Sequence, residues 1–478
     1  MVDWLTFEQV TSTLAGQLLR LGFRKGDFLA ASLPFLIEHV LFEYACFRIG
    51  VIHAPLDPRL PPAELLRCLN LIQPKGFAFL NRDLGQTVKQ QCASVEHLFD
   101  FTGGCPLQGD QPPATDVRED DGALVIFTTG STGSPKPALL SHRNILSQNF
   151  CLGTAFGFGE RTRLLVNLPP YHVGGQAEAL MTALYWGGTA ILMEGFDAAR
   201  SLQAIQQHRV NIVGQIPAMF NYQWRLSDYA SYDLSSLEIA IYGGQQVPRQ
   251  FLEKLSRMAP RIASGLGLTE AAGFCTYTPV DDVFSSLGHD MPSYPMAIRE
   301  PMGADGVAGQ VLTDGQVGHV CFAGPQTFLG YVNDPAATAR TVSRDGVLYT
   351  GDMGFRDEKG LHFSGRAKWI IKPAGHQVFP GDVESHICAL EDKVAACAVV
   401  GVEHPLLSEA IVAFVEKRPG ALLTPQELRR HAKGLASYMR PLRYVLLEPG
   451  GMPLNRAAKI DYLRLQQMAT ADANVNLR

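Results

Sequence analysis

The run Thr128-Thr129-Gly130-Ser131-Thr132-Gly133-Ser134-Pro135-Lys136 sets hydroxyls, glycines and one lysine directly after the apolar residues 123–127. Glycines let backbone N–H groups approach a ligand closely, hydroxyls donate hydrogen bonds and lysine adds positive charge, so the loop suits a polyphosphate. It lacks the Gly-Lys-Ser/Thr ending of a Walker loop, which disfavours an ordinary P-loop NTPase. On composition alone it reads equally as a solvated turn. Other groups able to do chemistry stand singly. Thr269-Glu270 taken alone reads as an N-cap threonine followed by a first-turn glutamate. His172 taken alone suits a turn cap, Asp352 follows a glycine as turn aspartates do, and Lys459 taken alone is a surface lysine.

Composition limits what these groups can serve. The 478 residues are 46% hydrophobic, which supplies a large core and suggests two to four structural units. A net charge of -5 gives no general field for nucleic acid or anionic lipid, so any phosphate binding should be local. Nine scattered cysteines, with no Cys-x-x-Cys pair, indicate neither a disulfide framework nor a zinc ribbon. The most apolar stretch, 28–56, contains Pro34, Glu38, His39, Glu43 and Arg48, which argues against a membrane span. Asp3 and Glu8 fall where a signal peptide needs a basic start and an apolar core. The expectation is a soluble cytoplasmic protein with reduced thiols and no nucleic-acid partner.

The elements that must position these groups follow from hydrophobic spacing. Leu5, Val10, Leu14, Leu18 and Leu19 recur at helical spacing, then Gly22 and Lys25-Gly26-Asp27 break the pattern before a strand at 28–33. Strands are expected at 164–168, 189–193, 210–213, 238–242 and 261–264, with helices at 197–208 and 249–258. Short apolar runs between amphipathic helices fit a mostly parallel sheet covered on both faces. The Pro-, Gly- and Asp-rich segment 103–122 reads as a surface connection within that domain, and 276–322 as a β-rich subdomain. Beyond 368 the pattern gives a helix at 381–390, strands at 394–402 and 410–415, and a helix opened by Thr424, Pro425 and a capping-box Glu427. The expected fold class is α/β: a large N-terminal domain of helix-covered sheets (1–364), a hinge (365–368) and a small α+β C-terminal lid (369–478).

The order of the motifs carries a resemblance. After the loop at 128–136 comes Leu168-Pro169-Pro170-Tyr171-His172-Val173-Gly174-Gly175, then Gly265-Leu266-Gly267-Leu268-Thr269-Glu270. Tyr349-Thr350-Gly351-Asp352 and Gly365-Arg366-Ala367-Lys368 follow, and the segment 372–384 places Gly375 in a loop ahead of a helix. Pro453-Leu454-Asn455-Arg456-Ala457-Ala458-Lys459-Ile460 closes the series. The set spans nearly the whole chain and resembles the acyl-adenylate-forming superfamily of acyl- and aryl-CoA ligases, adenylation domains and luciferases.

That resemblance implies ATP, Mg²⁺ and coenzyme A as cofactors, and assigns roles. Thr128, Thr129, Gly130, Ser131, Thr132, Gly133 and Lys136 would cradle the phosphates, with Gly267 and Thr269 beside them. Glu270 would hold the metal. Asp352 and Arg366 would bind the ribose, Lys368 would be the pivot of the lid, and Gly375 would pass the pantetheine arm. Lys459 would bridge the acid's carboxylate and the α-phosphate. His172, Val173, Gly174, Gln215, Met219, Gly243, Gly244, Gly265 and Gly273 would line the acyl site, where many glycines leave room for an aromatic or medium to long apolar acid.

Three positions depart from the pattern: Leu266 stands for the usual aromatic, and Pro137 and Ala458 stand for usual glycines. The chain also starts near the family's first core helix, so a usual N-terminal extension is expected to be absent. The implied reaction is adenylation of a carboxylic acid followed by transfer to CoA, with a carrier-protein thiol or an amine as alternative acceptors. Luciferase-like oxidation finds no support in these residues, and Lys136, Glu270, Asp352, Arg366 and Lys459 argue against a regulator that has lost chemistry.

Overall fold

A computed structural model describes residues 1–105, 115–129, 135–244, 247, 249–278, 286–454 and 460–476. Its contacts divide the chain into two compact units. One comprises 1–296, 302–308 and 322–348, and the other 297–301, 309–321 and 349–478.

The first unit contains two large sheets. Seven strands run in the order Gly330–Tyr331, Pro135–Ser141, Gly122–Thr129, Ile52–Pro55, Phe28–Ser32, Gly76–Phe79 and His97–Asp100. Five of these, from Gly122–Thr129 to His97–Asp100, pair in parallel, and the first two join antiparallel at one edge. Both faces are buried: Leu29, Ala31 and Leu33 enter one apolar cluster with the helices Trp4–Arg20 and Ile37–Arg48, while Ala30 enters another with Leu65, Leu69 and Ile72. This explains strands that are continuous apolar runs rather than alternating ones. The second sheet is wholly parallel, ordered Arg261–Ala263, Ile239–Tyr242, Ile212–Gln215, Arg163–Val166 and Thr189–Leu192. Asp197 caps the helix Ala198–His208 by accepting from the Arg200 N–H at 2.8 Å.

In the second unit the hairpin Val347–Asp357 and Gly360–Arg366 ends a four-stranded sheet, and Val394–His404, Ser408–Lys417 and Arg443–Leu447 form a three-stranded one. The α/β architecture, with a large N-terminal part and a smaller C-terminal one, matches the sequence expectation. The expected boundary at 365–368 differs from the compact division, which keeps the hairpin with the residues that follow it. Gly365 explains why: a Cβ there would lie 3.7 Å from Pro380 and 3.9 Å from Phe379, so the hairpin end packs on the start of the helix Pro380–Cys388. Thr424 caps the helix Pro425–His431 through the Glu427 N–H at 3.2 Å. The Glu427 carboxylate, expected to complete a capping box, instead accepts from Lys393 Nζ at 2.5 Å, an ion pair being the stronger claim on it.

Candidate active site

The strands Gly122–Thr129 and Pro135–Ser141 pair antiparallel with Thr128 opposite Lys136 and Thr129 opposite Pro135. The Ser/Thr/Gly-rich run is therefore the connection of a β-hairpin, not the strand-to-helix loop of a Walker motif. Gly130, Ser131, Thr132 and Gly133 lie outside the described residues. At its base the Thr128 hydroxyl donates to the Lys136 carbonyl at 3.5 Å, and Lys136 Nζ stands 5.1 Å from the centroid of the Tyr331 ring. The Tyr331 hydroxyl in turn donates to Glu270 Oε1 at 2.6 Å, and burial followed by the adjacent Glu270 raises the phenol's pKa well above its ordinary value. Lys136 and Glu270, 134 residues apart in the chain, are thus linked through Tyr331. Sequence reading missed Tyr331, which reaches this place only because its short edge strand pairs with Pro135–Ser141.

Thr269 and Glu270 open a 3₁₀ turn, Thr269–Ala271, directly after the strand Gly267–Leu268. The Phe328 N–H donates to the Glu270 carbonyl at 2.9 Å, which fixes this turn beside the residues leading to Tyr331. His172 sits one turn upstream of a π-helical segment, Gly174–Met181, where its carbonyl accepts from the N–H groups of Gly175 and Gln176. Its backbone therefore caps that segment, and its half-buried ring lies 5.1 Å from the Tyr171 ring. Arg59 donates to the Tyr171 hydroxyl at 2.6 Å while pairing with Asp57. Burial, then the Asp57 charge, pushes the Tyr171 phenol up to about 12.

Val173 precedes the π-helical segment, and Gly174 lies within it. Gln215 and Met219 are 2% and 6% exposed, and Gly244 has φ +91°. The glycines expected to leave volume do so only in part. A Cβ on Gly265 would meet the Thr276 carbonyl oxygen at 2.0 Å, and one on Gly273, where φ is +141°, would meet Glu178 Cγ at 2.7 Å. A Cβ on Gly243 would stand 3.6 Å from Phe274. Gly265 and Gly273 are thus required by close backbone packing and by conformation, and the inference from them to a bulky apolar acid is withdrawn.

In the second unit Asp352 and Arg366 are directly opposite each other across the hairpin. Arg366 Nε lies 2.8 Å from Asp352 Oδ1, the aspartate side chain being almost fully buried and the arginine half exposed. Thr350 fixes this end of the strand: its hydroxyl donates to the Val320 carbonyl at 2.9 Å and accepts from the Asp352 N–H at 3.0 Å. Lys368 lies in the 3₁₀ turn Ala367–Trp369 with Nζ 4.3 Å from the Trp369 ring centroid, and burial followed by the Arg366 charge lowers its pKa. Gly375 has φ +83°, and among the described residues no atom comes within 4 Å of where a Cβ would stand, so conformation rather than space requires glycine there. Lys459 lies outside the described residues, between Leu454 and Ile460, which form an antiparallel bridge.

A family model of AMP-binding enzymes matches residues 2–332, and one of the AMP-binding enzyme C-terminal domain matches 382–459. The chain belongs to the AMP-binding enzyme family. Within this family it is 31% identical to a feruloyl-CoA synthase of Amycolatopsis sp over 89% of the chain and 86% of that protein. It is 29% identical to the 4-coumarate--CoA ligase-like 6 of Oryza sativa subsp. japonica over 98% of the chain and 83% of the relative. In fold it superposes on ATP-bound MatB from Rhodopseudomonas palustris with a TM-score of 0.88 at 24% identity, covering 98% of this chain and 93% of the other. The o-succinylbenzoate CoA synthetase (MenE) of Bacillus subtilis with its acyl-adenylate OSB-AMP gives 0.83 at 22% identity, covering 100% and 94%. No helix among the described residues is long and apolar enough to cross a membrane.

Proposed function

We propose that this AMP-binding enzyme is an acid–thiol ligase that converts a carboxylic acid to its acyl-AMP with ATP and passes the acyl group to coenzyme A, releasing AMP and pyrophosphate. The observation that carries the reading is the convergence of Lys136, Tyr331 and Glu270 beside the glycine-rich hairpin connection, in a chain matched by both family domains. A carboxylate is a poor acyl donor because its leaving group would be oxide, so activation must come first. The carboxylate attacks the α-phosphorus, and pyrophosphate leaves against the hairpin's N–H and hydroxyl donors and Lys136. Thr269 donates to the α-phosphate, Lys459 stabilises the negative charge of the pentacovalent centre, and Asp352 with Arg366 holds the ribose hydroxyls. CoA then enters past Gly375, and its thiolate displaces AMP.

Mg²⁺ fits this site on the character of Glu270. Tyr331 occupies its Oε1, which orients the carboxylate and leaves its other oxygen for a hard cation. Among the described residues no cluster of three His, Cys, Asp or Glu side chains is present, so an ion here would take most ligands from phosphate oxygens and water, as magnesium does. When bound it supplies charge compensation on the leaving pyrophosphate.

The substrate follows the relatives in class, an aromatic or apolar acid, in a cytoplasmic setting where ATP, CoA and reduced thiols occur together. None of the nine cysteines forms a disulfide. ATP–pyrophosphate exchange across a panel of carboxylic acids tests the first half-reaction, and mass spectrometry with CoA or amines added tests the second. Exchange with no acid would sink the reading, and an amide instead of a thioester would change the acceptor.

A further inference from the structure

Glu178 lies on the π-helical segment Gly174–Met181, and three glycines of the expected acyl and nucleotide regions face its carboxyl group. A Cβ on Gly174 would stand 3.3 Å from Oε2, one on Gly267 3.3 Å from Oε1, and one on Gly273 2.8 Å from Oε1. Gln148 Nε2 reaches within 2.9 Å of the same Gly273 point. The Gln148 side chain is fully buried. Its Oε1 accepts from the Asn149 side chain at 2.9 Å, while its Nε2 has no hydrogen-bond partner among the described residues. Leaving a buried amide donor unsatisfied is costly, and a ligand's acceptor would offset that cost. Gln215, in the same expected pocket set, is likewise buried with neither side-chain polar atom bonded to a described residue. Gly267 is exposed, so this polar ground is open on one side. An acyl site built for a plain hydrocarbon would not be lined with a carboxyl group and unsatisfied amides.

We propose that Glu178 is a specificity-determining residue, accepting a hydrogen bond from a hydroxyl or amino group on the part of the acid remote from its reacting carboxylate. The proposal rests on the ligase reading above and narrows its substrate class to acids bearing a distal hydrogen-bond donor. The donor must be distal because the reacting carboxylate itself has only acceptor oxygens, which a second carboxyl group would oppose. A carboxyl group has lone pairs for several hydrogen bonds, so contacts within the fold leave room for the substrate. Gln148 Nε2 then donates to the substituent's oxygen or nitrogen.

The test measures kcat/KM by pyrophosphate release for matched pairs: 4-hydroxycinnamate against cinnamate, 4-aminobenzoate against benzoate, and 12-hydroxydodecanoate against dodecanoate. The parent should favour the donor-bearing member of at least one pair by roughly tenfold or more, since a site made to bond a hydroxyl rejects the analogue lacking it. Glu178→Leu should erase or invert that ratio with KM for ATP little changed, and Glu178→Gln, which keeps one acceptor, should fall between. A parent ratio near one in every pair that turns over would overturn the proposal, as would a ratio that survives Glu178→Leu. Should that variant not fold, Gln148→Met and the parent ratios decide. If no acid releases pyrophosphate, the ligase reading falls and takes this proposal with it; turnover without discrimination removes the proposal alone.

Discussion

Tyr331 is the residue through which Lys136 and Glu270 share one environment, its ring against the ammonium and its hydroxyl on the carboxylate. Removing the hydroxyl leaves Glu270 with one fewer fixed donor and freer to rotate. Tyr331→Phe should therefore lower kcat/KM for Mg·ATP in acyl-AMP formation by about tenfold, the value of one hydrogen bond of about 1–1.5 kcal/mol, and shift the Mg²⁺ concentration needed for half-maximal rate. Unchanged magnesium dependence would show that Tyr331 only packs. Lys459→Ala should cost more, at least ~10² in adenylation or on the order of 3 kcal/mol, because on the proposed mechanism it removes a charge at a phosphoryl transition state. Thioester formation from supplied acyl-AMP should stay largely intact, and equal losses in both half-reactions would contradict that role. The motifs that hold Thr269, Glu270, Asp352 and Arg366 could be picked out in sequence because each is short and they follow in order, and the roles proposed for these residues rest on that resemblance. Tyr331, Gln148 and Glu178 were not, because their importance comes from long-range contacts that no local spacing encodes. Gly265 and Gly273 were found but misread, since sequence cannot distinguish a glycine that leaves space from one whose Cβ position is already filled.

Individual elements show why those contacts hold. The π-helical segment Gly174–Met181 is seated from two sides: a Cβ on Gly175 would fall 2.3 Å from the Pro169 carbonyl oxygen, and Gln176 Nε2 donates to the buried Glu43 of the helix Ile37–Arg48. Helical periodicity gave no hint of its wider turn. In the second unit, the helix Pro380–Cys388 carries Glu384, whose Oε1 accepts from the Val399 N–H at 2.8 Å and the Tyr462 hydroxyl at 2.9 Å. Burial nevertheless outweighs these donors and raises the carboxyl to about 7, against an ordinary 4.5. A carboxyl raised on folding contributes stability that is full below its unfolded value and lost as pH climbs through the folded one. Urea unfolding of the parent's C-terminal unit should thus weaken between about pH 5 and 8, by up to about 3 kcal/mol. Glu384→Gln should flatten the profile over that window. A parent profile already flat, or a variant that keeps the slope, would assign the proton to another group.

At the scale of the whole molecule, the proposed mechanism asks one chain to run two reactions with opposed needs: a charge from Lys459 at the phosphorus for the first and a clear path for a thiol in the second. Such alternation is commonly met by moving one body of the protein about a few backbone torsions. Lys368 is the proposed pivot, yet contacts cross it. The hairpin end at Gly365 abuts Phe379 and Pro380, and a Cβ on Gly381 would stand 3.0 Å from the Ser364 carbonyl oxygen. Rotation about Lys368 has to break this packing, whereas rotation before Tyr349 would carry it along with the unit. Proline separates the two. Its φ near −65° suits the 3₁₀ turn Ala367–Trp369, so Lys368→Pro should fold while locking that torsion. The expected result is near-parental acyl-AMP synthesis with thioester formation from that intermediate slowed at least tenfold. Single-turnover measurement of each half-reaction reads this directly. Parental rates in both would move the pivot away from Lys368 and favour a body that begins at Tyr349.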